Sequence, residues 1–185
     1  PTSIALGPGG MGGAVYIALR DPADAPLLEA QLEAGGAGAG RASLYHGRDL
    51  GPIAYAVGAG FAASPGTRLS SQFHPTEYER GGKLNNSDRR TADGAFTLVV
   101  PAGPHNRIVT SAFVVDGEFG IPRSTTDTRP FFSRFSYWRA AVGTVAHELE
   151  TRDLKLDEAL YVRAFDNRLD SYDDATFSTM DGPNA

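Results

Sequence analysis

The sequence predicts a β-rich α+β fold, an antiparallel sandwich or barrel with one helix near residues 24–34 and long polar loops. Three observations lead there. The stretch Gly94–Phe119 holds two dense apolar runs, Phe96–Val100 and Ile108–Val115, divided by Pro101–Asn106 and closed by Asp116-Gly117. That is strand and turn chemistry, and it predicts a meander at the centre of the domain. Short runs of β-branched, aromatic and small apolar residues recur at 14–19, 42–46, 53–57 and 160–165, bounded by Gly, Pro or Asp. Only one stretch carries a clear helical signature: Asp24 as a cap, Pro26 in the first turn, Leu28 and Leu32 one turn apart, and Gly35-Gly36 as a stop.

In chain order, residues 1–13 read as a glycine-rich arm and Ala14–Leu19 as a buried strand ending at Asp21-Pro22. After the expected helix, GGAGAG is too poor in side chains to pack and reads as a flexible connector. Ala42–His46 and Ile53–Val57 read as a strand pair joined by GRDLGP. Residues 72–93 carry only Phe73, Tyr78 and Leu84 as sizeable apolar groups, and so long a polar excursion in a compact domain points to an interaction arm. Residues 122–130 form a second such excursion. The aromatic run Phe131–Trp138 favours a strand through Tyr137, while 138–150 fits helix or strand. Leu160–Phe165 alternates as a half-buried strand does, and 166–185 reads as an acidic tail.

A chain of 185 residues with 41% hydrophobic and 21% charged residues fits one globular domain, residues 1–185. It contains no cysteine, which excludes disulfides and thiolate chemistry. The net charge of −5 gives no electrostatic footprint for nucleic acid, and no apolar run reaches the length of a membrane-spanning helix. No signal peptide is visible, although a mature form with its leader removed would look the same; the compartment stays unknown, with synthesis in the cytoplasm expected and an assembled particle as an option. Of 17 basic residues only Lys83 and Lys155 are lysines. Arginine forks suit bidentate pairing at interfaces, although a GC-rich coding sequence accounts for the same skew.

The motifs that suggest chemistry are fragmentary. Gly7–Gly12 matches G-x-G-x-x-G but precedes a strand instead of opening a helix, against a dinucleotide site. His147-Glu148 begins as a zinc-protease helix does, yet Thr151 stands where the second histidine belongs. Among the four histidines, His46 and His74 are the candidates for acid–base catalysis, because acids and arginines surround both. Asp166, Asp170, Asp173 and Asp174 offer the hard oxygen ligands calcium prefers, but without loop spacing, and a solvated acidic terminus is the simpler reading. No metal or other cofactor is expected. The aromatic cluster reads as core in preference to a ligand pocket.

The function expected from these features is that of a non-enzymatic, self-assembling structural protein, a virion shell, tail-tube or similar lattice subunit joined through arms and edge strands. Its contacts would run through His74, Glu77, Arg80, Lys83, Asp88, Arg89, Arg90, Arg123 and Arg129. The expected partners are copies of the same chain, without nucleic acid or membrane, with a small-molecule ligand as an option. The alternative is a small β-barrel enzyme or binder that uses a histidine in an aromatic-walled pocket.

Overall fold

The computed structural model describes residue 22 and residues 26–124 and 131–180. Its architecture is a single antiparallel sheet of seven strands in which every strand pairs with its neighbours in sequence. The strands are β1 (Pro26–Ala34), β2 (Gly40–Asp49), β3 (Ala54–Ser64), β4 (Arg89–Pro101), β5 (Asn106–Ile121), β6 (Phe132–Glu150) and β7 (Lys155–Tyr172). The β-rich expectation holds, and β4 and β5 are the expected meander, joined by residues 102–105. The sheet is open at β1 and β7, so among the described residues it forms neither a barrel nor a sandwich. The expected strand at 14–19 and the arm at 1–13 lie outside the described residues.

The helix expected near 24–34 is instead strand β1. Leu28 and Leu32 are four apart, a spacing that serves one helical face and one strand face alike. The intervening residues decide it: Leu28, Ala30, Leu32 and Ala34 alternate with Glu29, Gln31 and Glu33, which is period two. The glycine tract after it is no free connector. It makes a 3-10 turn at Gly36–Gly38 and then starts β2, with Ala37 and Gly38 at positive φ. β5 continues past Asp116-Gly117 to Ile121, since a strand bonded on both sides does not need to stop at a turn-prone pair. Residues 138–150 are strand throughout, and β7 takes in Asp166–Tyr172, the first part of the run expected as a tail.

Connection lengths alternate. One end of the sheet carries only four-residue turns, at 50–53, 102–105 and 151–154. The opposite end carries 35–39 and 65–88, and the ends of β5 and β6 also meet there; most of the second expected excursion, 125–130, lies outside the described residues. The 65–88 connection is the first polar excursion, and it is anchored at the β5–β6 end of the sheet. The Asn86 side-chain amide donates to the carbonyls of Ile121 (3.0 Å) and Ser133 (2.6 Å), which are partners in the β5–β6 ladder. Arg134 pairs with Asp88 at 2.9 Å, and the Gly120 N–H donates to the Asp88 carbonyl. A register shift nearby leaves Ser136 without a cross-strand partner, a bulge on β6 whose hydroxyl donates to the buried Asp170 carboxylate. Arg168 holds the other oxygen of that group at 2.7 Å.

One layer has little interior. The buried apolar side chains of the strands are Ala54, Ala56, Val99 and Phe132. Aromatic pairs add local packing, Phe119 on Phe135 and Trp138 on Phe165, while Phe132 meets Tyr78 and Phe177 edge-on.

A Cβ on Gly120 would overlap the Asn86 carbonyl, so only glycine lets the arm seat there. Gly120→Ala should therefore destabilise the fold by about 1–3 kcal/mol, the usual cost of overpacking. Urea unfolding measures it, and faster amide exchange in 84–88 than in β2–β3 would place the damage at the arm.

Candidate functional site

Cross-strand partners in an antiparallel ladder share a face, so the register sorts every strand residue onto one side of the sheet or the other. On the first face the middle of each strand is apolar. From β1 to β7 it presents Leu28, Ala30 and Leu32; Ala42 and Leu44; Val57, Ala59 and Phe61; Ala92, Gly94, Phe96 and Leu98; Ala112 and Val114; Ala141, Gly143 and Val145; Leu160, Val162 and Ala164. Only Thr110 interrupts it with a polar group. These side chains are open to the outside: Leu32 is 85% exposed, Leu160 80% and Val162 71%. The second face is mixed. It carries Glu29, Gln31, Glu33, Arg41, Ser43, Asp93, Thr97, Arg107, Ser111, Thr144, Glu148, Asp157 and Arg163, with Val109, Phe113, Val115 and Val142 among them near the middle of β5 and β6.

The apolar band has charged margins. On β6 it is bounded by Arg139 and His147, and on β7 by Asp166 and Glu158, which are their register partners. Each pair is eight residues apart, about 26 Å along a strand rising roughly 3.3 Å per residue. The margins are paired: Arg139 with Asp116 at 3.2 Å, Arg90 with Glu118 at 3.1 Å, and His147 Nδ1 with Glu158 at 3.5 Å.

The band also runs obliquely to the ladder. The row of Arg139 and Asp116 continues on β4, β3 and β2 as Ala92, Phe61 and Ala42. The row of Gly143, mid-band on β6, reaches the other margin at His46 on β2 through Ala112, Phe96 and Val57. Toward β2 the band therefore climbs to the long-loop end, as a slab of constant height does across tilted strands. On the apolar face a shallow trough of about 530 Å³ lies over Ala92, Gly94, Val114, Ala141 and Ala164.

The residues singled out in the sequence fall into separate places. His46 sits at the margin of the apolar face with its ring 5.5 Å from Tyr55, while His74 is exposed in the arm at the opposite end, so the structure does not bring the two together. Asp88 and Arg90 are paired with Arg134 and Glu118. Arg123 lies over the Tyr78 ring (4.3 Å) and the Phe132 ring (5.1 Å). Glu77 raises the pKa of Tyr78, chiefly by its hydrogen bond to the phenol, with burial and the carboxylate charge adding to it. Arg80 is exposed, Lys83 stands opposite Arg68, Arg89 opens β4 on the polar face, and Arg129 lies outside the described residues.

Asp166 and Asp170 lie on β7, and Asp173 and Asp174 in the turn after it. Among the described residues no group of three or more acids and histidines is arranged to hold a metal ion. Sequence reasoning missed Asn86 and Glu79. Glu79 is 2% exposed and accepts the Asn85 N–H at 2.8 Å. The Asn85-Asn86-Ser87 turn signal hinted at Asn86, whereas nothing local marks Glu79 as buried.

Comparison with family models, curated proteins and solved structures finds no match in any of the three.

The turn after β7 offers a pH test. Asp174 accepts the Thr176 hydroxyl (2.6 Å) and the Thr176 N–H (2.8 Å), and these two bonds hold its carboxyl below the ordinary carboxylate range. A depressed folded-state pKa contributes stability that is present above the unfolded value and lost as pH falls through the folded one. The Thr176 amide resonance should accordingly titrate with a midpoint below the ordinary carboxylate range. Asp174→Asn should abolish that titration.

Proposed function

We propose that this sheet is part of the wall of a transmembrane β-barrel, with the apolar face toward lipid and the mixed face toward the interior. The observation that carries the reading is the apolar band, bounded by charges at both margins and oblique to the strands. An outer-membrane-type barrel needs an outward apolar band about 25 Å tall on strands tilted roughly 35–45°, and the band on β6 and β7 has about that span. Two further features support it. The meander with short turns at one end and longer loops at the other is the barrel pattern, and strands, unlike helices, cross with polar residues on alternate positions.

No helix among the described residues is long and apolar enough to cross a membrane, which bears on helical spans alone. The expectation of no membrane partner used that same helical criterion, together with a net charge of −5 that offers no attraction to an anionic membrane surface. The open edges at β1 and β7 would be closed by further strands.

A second reading, a self-assembling lattice subunit as the sequence suggested, draws support from those same edges. There the apolar face would be covered by another copy of the chain, and edge strands would pair between subunits.

Adjacent residues on opposite faces separate the two readings. Ala112 is on the apolar face near mid-band, and Ser111 is on the other. In lipid vesicles Ala112→Arg should lower stability by about 2–4 kcal/mol, the cost of an arginine at the bilayer midplane, while Ser111→Arg should cost much less. Equilibrium unfolding from vesicles reads both. A chain that stays out of vesicles and detergent and forms regular particles in plain buffer would overturn the membrane reading in favour of the lattice.

A further inference from the structure

The arm between β3 and β4 closes on itself through an isolated antiparallel bridge, Arg68 opposite Lys83. The flanking bonds run from the Leu69 N–H to the Gly82 carbonyl (2.9 Å) and from the Leu84 N–H to the Thr67 carbonyl (2.8 Å). That pattern makes Arg68 and Lys83 a non-hydrogen-bonded pair. Such pairs bring the Cα atoms to about 4.5 Å and send both side chains off the same face at the closest spacing a ladder allows. Like charges placed directly opposite repel and destabilise the pairing. Here both are cations and both are exposed, and neither has an acidic partner among the described residues.

The nearby acids are committed elsewhere. Asp88 holds Arg134, Glu79 is buried on the Asn85 N–H, and Glu77 interacts with Tyr78. The backbone beneath the cations is hydrogen-bonded on both sides of the bridge. Ser87 Oγ accepts the Thr67 N–H and donates to the Leu84 carbonyl, Asn86 ties the next residue to β5 and β6, and Gly81 and Gly82 take the positive φ that the turn into the bridge requires. Two unpartnered cations held side by side on an anchored bridge make a preorganised receptor for one anion.

We infer that Arg68 and Lys83 bind a phosphate group, the arginine fork taking two of its oxygens and the lysine ammonium a third. Arginine suits planar bidentate recognition of phosphate and lysine serves as a point charge beside it. The inference is independent of the membrane reading, because a lipid headgroup and a soluble phosphate compound present the same chemistry.

The test uses the full chain folded in a neutral detergent. Isothermal titration with inorganic pyrophosphate forms one arm, and titration with the same micelles doped with phosphatidylglycerol forms the other. Saturable binding that weakens with added salt is expected in at least one arm, and which arm saturates identifies the source of the phosphate. Arg68→Gln and Lys83→Gln should each weaken it by about tenfold or more, consistent with loss of a charge-assisted bond. Arg152→Gln, in the turn at the far end of the sheet, should leave it unchanged. Circular dichroism matching the unsubstituted chain would show that the variants fold. Absence of saturable binding in both arms overturns the inference, and so does binding that Arg68→Gln and Lys83→Gln leave intact or that Arg152→Gln weakens equally.

Discussion

A single sheet satisfies its backbone through its neighbours, but among the described residues no second layer hides its apolar face. That constraint governs the rest of the structure. Domains ordinarily pack an apolar sheet face against another sheet or a layer of helices. Among the described residues all seven strands lie in one layer, and none of those residues is in an α-helix. The buried core of the strands is accordingly confined to Ala54, Ala56, Val99 and Phe132, while the longest continuous apolar surface faces outward. Burying such a surface is the dominant favourable term in folding, and exposed apolar patches of this extent are what membrane and protein contact sites present.

The polar detail is concentrated where the ladder is weakest. At the long-loop end of β5 and β6 the strands carry a register shift, and the arm seats itself there through Asn86, Asp88 and Gly120. Two strand carbonyls that would need other donors receive them from one asparagine amide. The arm is thus fastened to the sheet at 86–88 by these contacts. Its free cations, Arg68 and Lys83, stand on the part whose backbone is held. At the short-turn end the connections are four residues long and simply reverse the chain. Any recognition chemistry is therefore asymmetric along the strands, with side-chain variety gathered at one end and chain reversal at the other.

Much of the fold was legible because turn chemistry and β-branched density are local. The strand pair around Leu50–Ile53 and the meander around 102–105 follow from Gly, Pro and Asp placed between apolar runs. One stretch misled and another stayed open between helix and strand, for a shared reason. In 24–34 and 138–150, alanine, glycine and widely spaced valines and leucines satisfy a helical period and a strand period together. β6 blurs the signal further, because Val142 and Val145 lie on opposite faces and both are apolar. The candidate site was less legible. Arg68 opposite Lys83, and Asn86 under Ile121 and Ser133, are contacts between residues that sequence spacing does not relate.

The sequence by itself determined that the chain is β-rich and cysteine-free, where two of its tight reversals fall, and that long polar excursions separate its strands. Only the tertiary structure decided which residues stand beside one another. Local alternation tells whether a side chain points up or down its own strand, but not which neighbouring side chains share that direction. Register settles that, and register depends on the length of every connection and on the bulge at Ser136. Seven locally unremarkable strands therefore become one continuous apolar band with charged margins, a property belonging to no single segment of the chain.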